Sequence, residues 1–298
     1  MSNKVILVVL DGLAYETAHQ CMGFLQGLTE QGKATLYKVE CELPSLSRPL
    51  YEAILTGVAP ANSGIVHNQV TRNSNQQSVF SLAHQAGLST AAAAYHWISE
   101  LYNRSPYDAV CDRFTHDPEQ LIQYGIFYHQ DSYPDSHLYL DAEWLRRNYD
   151  PDFLLVHPMN IDDAGHKSGL DSADYRNTAR QSDVHLSEYI LQWMNAGYQI
   201  LVTADHGMNV DKSHGGTLKE EREVPLYVIG ECFSHDAEAK PRQLELCGTV
   251  CELLGLSGHA KPVATQLLVG LHDHATSVTA PDMNDFILTH DQSLIHRS

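Results

Sequence analysis

Positive charge is scarce in this chain, with 19 Lys and Arg against 37 Asp and Glu over 298 residues, a formal charge of −18. That balance excludes a general nucleic-acid-binding surface, which needs clustered cations. A small anionic substrate stays compatible if bound metal ions supply positive charge locally. Long apolar runs are missing as well. The first run, Val5 to Leu10, is too short for a secretory signal and lacks a small-residue cleavage site, and no stretch reaches transmembrane length. The expectation is a cytoplasmic protein that does not engage a membrane. The six cysteines (Cys21, Cys41, Cys111, Cys232, Cys247 and Cys251) show no CxxC spacing, which argues against a disulfide framework and for a reducing compartment. Repeats of solenoid type and low-complexity segments are absent too.

What the chain does contain is alternation. Val5 to Leu10, Thr90 to Tyr95, Phe153 to Val156, Ile200 to Thr203 and Leu226 to Ile229 are continuous apolar runs, as expected of strands covered on both faces. Helix-like stretches lie between them, roughly Tyr15 to Leu28, Pro49 to Leu55, Ser78 to Ala86, Asp141 to Arg147, Asp171 to Asn195 and Leu244 to Leu254. The pattern predicts one α/β domain over residues 1–298, with a mostly parallel central sheet and helices on both faces. Residues 99–137, rich in Tyr, His, Asp and Pro and poor in periodicity, are expected to form a lid or cap insertion, and residues 272–298 a peripheral C-terminal arm.

Metal-ligand side chains cluster where the strand-like runs end. Asp11 follows the first run, and Asp205-His206 leave another together, with His214 eight residues beyond His206. Asp162 and His166, four apart, share one face if a helix begins there. In an open parallel sheet, ligands bind outside the carboxyl ends of the strands, so these groups are expected in one pocket. Carboxylates and imidazoles beside a hydroxyl suit a two-metal hydrolase. Ser47, just before Pro49, is placed to stand at a helix amino terminus, where free N–H groups favour negative charge, and it is the candidate nucleophile, with Ser45 a nearby competitor.

These residues resemble the type I phosphodiesterase/nucleotide pyrophosphatase family of the alkaline phosphatase superfamily. The likeness runs from Val5 to about Leu268 and rests on Val9-Leu10-Asp11-Gly12, Ser47-Arg48-Pro49 with Thr56-Gly57, Gly64-Ile65-Val66-His67-Asn68, Asp162-Asp163-Ala164-Gly165-His166, Ala204-Asp205-His206-Gly207-Met208, and His214-Gly215-Gly216 with Val224-Pro225-Leu226. The resemblance implies an alkaline phosphatase-like fold and two divalent ions, zinc in first place and manganese as the alternative. Asp162, His166 and His214 would hold one ion, and Asp11, Asp205 and His206 the other, which also holds the nucleophile. It selects Ser47 over Ser45 and implies that Asn68 donates to a phosphate oxygen. Diesterase members usually carry Thr at the nucleophile, whereas Ser is that of the monoesterase branch. Tyr51 stands where sulfatases need Arg. The implied function is hydrolysis of a phosphodiester or nucleotide pyrophosphate through a phosphoryl-serine, on a small phosphate- or phosphonate-containing substrate. Phosphonate or phosphomonoester hydrolysis and a non-catalytic metal- or nucleotide-binding relative are the alternatives.

Overall fold

All five apolar runs become strands of a single eight-stranded sheet in the computed structural model, which describes residues 3–270. In chain order the strands are β1 (Lys4–Val9), β2 (Ala34–Glu40), β3 (Thr90–Tyr95), β4 (Phe114–His116), β5 (Tyr124–Tyr128), β6 (Phe153–Val156), β7 (Tyr198–Thr203) and β8 (Glu223–Ile229). They lie side by side as β2-β8-β7-β1-β6-β3-β5-β4. The five strands from β7 to β5 are parallel to one another. β8 runs antiparallel to β7 and β2 antiparallel to β8, and β4 closes the far edge antiparallel to β5. The expected mostly parallel α/β architecture is the one observed. Strands β3, β6 and β7 are buried at every residue, which is why their sequences read as unbroken apolar runs rather than alternation.

The helices are α1 (Tyr15–Cys21), α2 (Gly23–Glu30), α3 (Ser47–Thr56), α4 (Pro60–Ser63), α5 (Val79–Gln85), α6 (His96–Tyr102), α7 (Asp135–Tyr149), α8 (Asn160–Ser168), α9 (Ala173–Asn195), α10 (Lys219–Arg222) and α11 (Leu246–Leu253). One group packs around α9, which touches α1, α2, α7 and α8, while α3, α5 and α11 pack on one another. The single helix expected over Tyr15 to Leu28 is two. The chain turns at Met22, and the Asp183 carboxylate of α9 accepts the free N–H groups of Phe24 at 2.6 Å and Leu25 at 3.1 Å, which starts a second helix.

Residues 99–137, the expected lid or cap, are joined to the sheet. They supply the end of α6, both β4 and β5 and the start of α7, so the segment contributes two strands to the sheet. The alternation is concealed because β5 is five residues long and nearly all buried, and because it contains Gly125, where a Cβ would meet the Phe127 ring at 2.2 Å. Its tyrosines are used structurally: Tyr107 donates to the Phe127 carbonyl at 2.9 Å, Tyr128 to the His157 carbonyl at 2.7 Å, and Tyr124 stacks on Tyr149 with centroids 3.9 Å apart. The expected arm at 272–298 lies outside the described residues.

A buried carboxylate ties α7 to α9. Glu143 accepts from Arg146 at 2.7 and 2.8 Å, from Arg147 at 2.5 Å and from the Trp193 indole at 3.1 Å. Burial works against its ionisation, but these donors outweigh burial and hold its pKa at about 2, below the ordinary 4.5. A carboxylate depressed on folding stabilises the protein above its unfolded pKa and loses that contribution as pH falls toward its folded value. Glu143→Gln is therefore expected to flatten the loss of stability between pH 4.5 and about 2. Near neutral pH it should cost roughly 1–2 kcal/mol, a figure discounted for the solvent that reaches Arg147. Urea denaturation at a series of pH values checks both.

Candidate active site

Three adjacent parallel strands, β6, β1 and β7, end together, and each releases polar residues at its carboxyl end: His157, Asp11 and Asp205-His206. All four side chains are essentially inaccessible. Gly12 makes the turn after β1 at φ +74°, and its N–H donates to Asp205 Oδ1 at 3.2 Å. A Cβ there would lie 2.8 Å from Asp162 Cα, so only glycine lets the β1 turn and α8 approach. Asp135 fixes α8 from outside. Its carboxylate accepts from the Met159 and Asn160 N–H groups at 3.3 and 3.2 Å, and burial pushes its pKa up to about 7. On that anchored helix Asp162 and His166 sit one turn apart, with Asp162 Oδ2 3.4 Å from His166 Nε2.

Ser47 is the first residue of α3 and is buried, with Oγ 2.9 Å from His206 Nε2. The loop after β7 brings His214 back over this point. The Glu221 carboxylate accepts from Gly216 N–H at 2.6 Å and from Asn209 Nδ2 at 2.7 Å. His206 and His214 stack with centroids 3.6 Å apart.

The three histidines share one orientation. Nδ1 of His166 lies 2.9 Å from the Lys212 carbonyl, Nδ1 of His206 2.8 Å from the Gly207 carbonyl, and Nδ1 of His214 2.7 Å from the Ser45 carbonyl. A carbonyl only accepts, so each Nδ1 holds the proton and each Nε2 presents a lone pair. Nε2 of His166 and Nε2 of His214 are 3.1 Å apart. Two facing lone pairs repel at that distance unless a cation lies between them.

Asp11 and Asp205 each have one oxygen engaged by a donor, and all three carboxylates keep one oxygen buried without a hydrogen-bond partner. The unpartnered atoms are Asp11 Oδ1, Asp162 Oδ1 and Asp205 Oδ2. Ligand atoms of Asp11, Asp205 and His206 lie within 4.8 Å of one another, as do those of Asp162, His206 and His214. Orphaned anionic oxygens beside oriented imidazoles fit divalent cations.

Titration shifts point the same way. Burial, reinforced by the charge of Asp11, pushes Asp162 and Asp205 well above the carboxylate range. Burial also opposes ionisation of Asp11, but the hydrogen bond from His157 and the nearby His206 hold its pKa low. Burial and the neighbouring His206 depress His214 to about 3, and burial lowers His206, so both imidazoles are neutral, the form that ligates. The cavity is short of positive charge that cations would supply.

The seven residues marked from the sequence as ligands, Asp11, Ser47, Asp162, His166, Asp205, His206 and His214, thus meet in one place. Asn68 is beside them, its Oδ1 accepting from the Arg48 N–H at 3.1 Å. Ser45 has a different task. Its hydroxyl donates to the Gly216 carbonyl at 2.8 Å and accepts from Gly215 N–H at 3.0 Å, while its own carbonyl receives His214 Nδ1. Arg48 turns away to a buried ion pair with Glu100 at 2.7 Å. Two residues escaped the sequence reading. His157 Nε2 donates to Asp11 Oδ2 at 3.1 Å, and the Tyr51 hydroxyl donates to the same oxygen. The signals existed: His157 ends a strand run as Asp11 does, and Tyr51 lies four residues after Ser47 on one helix face.

Residues 5–215 match the type I phosphodiesterase / nucleotide pyrophosphatase family, and the chain belongs to it. Among curated proteins, the catalytic subunit of GPI ethanolamine phosphate transferase 2 from Homo sapiens is 23% identical over 276 residues, which cover 85% of this chain and 26% of that protein. The chain thus spans about a quarter of that relative's length. Murine ectonucleotide pyrophosphatase/phosphodiesterase 5 superposes with a TM-score of 0.68 at 14% identity, covering 87% of this chain and 97% of the other. The phosphonate monoester hydrolase of Silicibacter pomeroyi does so at 0.57 and 14%, covering 85% and 73%. The fold is that of the alkaline phosphatase superfamily.

Proposed function

We propose that this chain cleaves phosphate esters, phosphodiesters or nucleotide pyrophosphates first, through a phosphoryl-serine on Ser47. The reading is carried by the convergence of Ser47 Oγ with three partnerless carboxylate oxygens and three inward Nε2 atoms. Asp11, Asp205 and His206 would hold one divalent cation, zinc before manganese, and Asp162, His166 and His214 a second. Bound there, such cations supply Lewis acidity that lowers a hydroxyl pKa and neutralises phosphoryl oxygens.

The protein's own part is placement. Ser47 Oγ, its proton passed to solvent, bonds to phosphorus as the bond to the leaving oxygen breaks, and that oxygen takes a proton from solvent. Water then attacks phosphorus, the bond from phosphorus to Ser47 Oγ breaks, and Oγ recovers a proton as the water loses one. With Oδ1 of Asn68 held by the Arg48 N–H, its NH2 group is the end left to donate to a phosphoryl oxygen.

The ethanolamine phosphate transferase among the relatives favours a second reading. In it an alcohol replaces water as acceptor, and ethanolamine phosphate is the group carried. A panel separates the two: the p-nitrophenyl esters of phosphate, phenylphosphonate and phosphorylethanolamine, and the bis-ester, with zinc or manganese and with or without an added alcohol. Diester turnover above monoester turnover is expected. Absence of turnover on every ester with both metals bound would refute catalysis.

A further inference from the structure

The carboxylate of Asp11 is held by two donors on one oxygen. The Tyr51 hydroxyl and His157 Nε2 both donate to Oδ2, the latter at 3.1 Å, while Oδ1 is buried without a partner. The tautomer of His157 follows from its other side: Nδ1 accepts the Tyr95 N–H at 3.3 Å, so the proton sits on Nε2. The two donors also brace each other, the Tyr51 and His157 rings meeting edge to face with centroids 4.5 Å apart. Tyr51, His157 and Asp11 are all buried at 2% exposure or less, so water does not compete for these bonds. Asp205 is held similarly, but by the backbone N–H of Gly12. The lock on Asp11 is made of side chains and can be removed by substitution.

We propose that Tyr51 and His157 are positioning residues that occupy Asp11 Oδ2, dedicate Oδ1 to a divalent cation, and thereby set both affinity and choice of cation at the Asp11, Asp205 and His206 trio. The inference rests on the metal-dependent reading above. A carboxylate with one oxygen filled offers a single ligand atom. That suits a small cation content with four ligands, such as zinc. It works against calcium, which gathers six to eight oxygens and often takes both from one carboxylate. Ordering the ligand in advance is also how hydrogen-bonded partners raise metal affinity.

The test is chelator-competition titration of the full, metal-free chain with zinc and with calcium, comparing wild type, Tyr51→Phe, His157→Leu and His157→Gln. Tyr51→Phe and His157→Leu are expected to weaken zinc at one of two sites by about 10- to 100-fold and to narrow the zinc-to-calcium ratio. His157→Gln, which keeps an N–H donor, should stay within about threefold of wild type. Unchanged zinc affinity in Tyr51→Phe and His157→Leu overturns the proposal, and so do equal losses in His157→Gln and His157→Leu, which would trace the effect to shape. Melting curves of the metal-free variants report folding, and if Tyr51→Phe does not fold the His157 pair decides. Because the readout is affinity without substrate, the lock stands or falls separately from the ester chemistry.

Discussion

Ser47→Ala is expected to lower turnover of an activated phosphodiester by on the order of 10³- to 10⁵-fold while leaving both metal sites loaded. Removing Oγ takes away the hydroxyl proposed to bond to phosphorus, yet it leaves the three partnerless carboxylate oxygens and the three Nε2 atoms where they are. Ser47→Thr keeps a hydroxyl and should keep part of the rate. Ser45→Ala makes the informative contrast, because Ser45 holds the Gly215-Gly216 turn and the His214 ring. Its loss should appear as weaker metal binding, with turnover restored by excess metal. Initial rates beside elemental analysis of the same samples distinguish the two. A Ser47→Ala protein within tenfold of wild type would remove Ser47 from the chemistry.

Stripping the metal is expected to abolish turnover and to lower the melting temperature, and Asp162→Asn should reverse the stability effect. Asp11, Asp162 and Asp205 are all buried, and desolvation together with the charge of Asp11 disfavours ionisation of the other two. Without cations this cluster opposes folding at neutral pH. A cation at about a thousand times its dissociation constant adds roughly 4 kcal/mol. For a chain of this size that amounts to an upward shift of about 10 °C. Replacing Asp162 by Asn deletes one buried charge at nearly constant volume, so the metal-free variant should melt above metal-free wild type, and added zinc should stabilise it far less. Scanning calorimetry with chelator and with zinc measures all four states. A metal-free Asp162→Asn protein less stable than metal-free wild type would show that the carboxylates are not in conflict.

The parallel centre of the sheet was legible because strands covered on both faces must be apolar throughout, and β3 and β6 have the limits their apolar runs suggested. Strands at the margins were not. β2 exposes part of its length at one edge, and β4 is three residues long at the other. Period and length therefore carried too little signal there. β5 hid in a tyrosine-rich stretch whose composition resembled a loop. In the site, charged residues at strand ends announced themselves, since a carboxylate next to a buried strand has few structural reasons to be there. Tyr51 and His157 did not, because an aromatic on a buried helix and a lone imidazole read as ordinary core. Only their contact with Asp11 Oδ2 gives them a role. The choice between Ser45 and Ser47 was chemically open on sequence. The geometry favours Ser47 in the proposed chemistry, because Ser45 spends its hydroxyl on the Gly215-Gly216 backbone.

Seven consecutive residues carry much of this arrangement: Ser45 orients His214, Ser47 opens α3 against His206, and Tyr51 reaches Asp11 from the next turn. They work like teeth on one gear, whose phase is set by the helical repeat. Deleting any single residue between Ser47 and Tyr51 would rotate one hydroxyl against the other by about 100°. The stretch from 45 to 51 is therefore constrained in its length as well as in the side chains at Ser45, Ser47 and Tyr51.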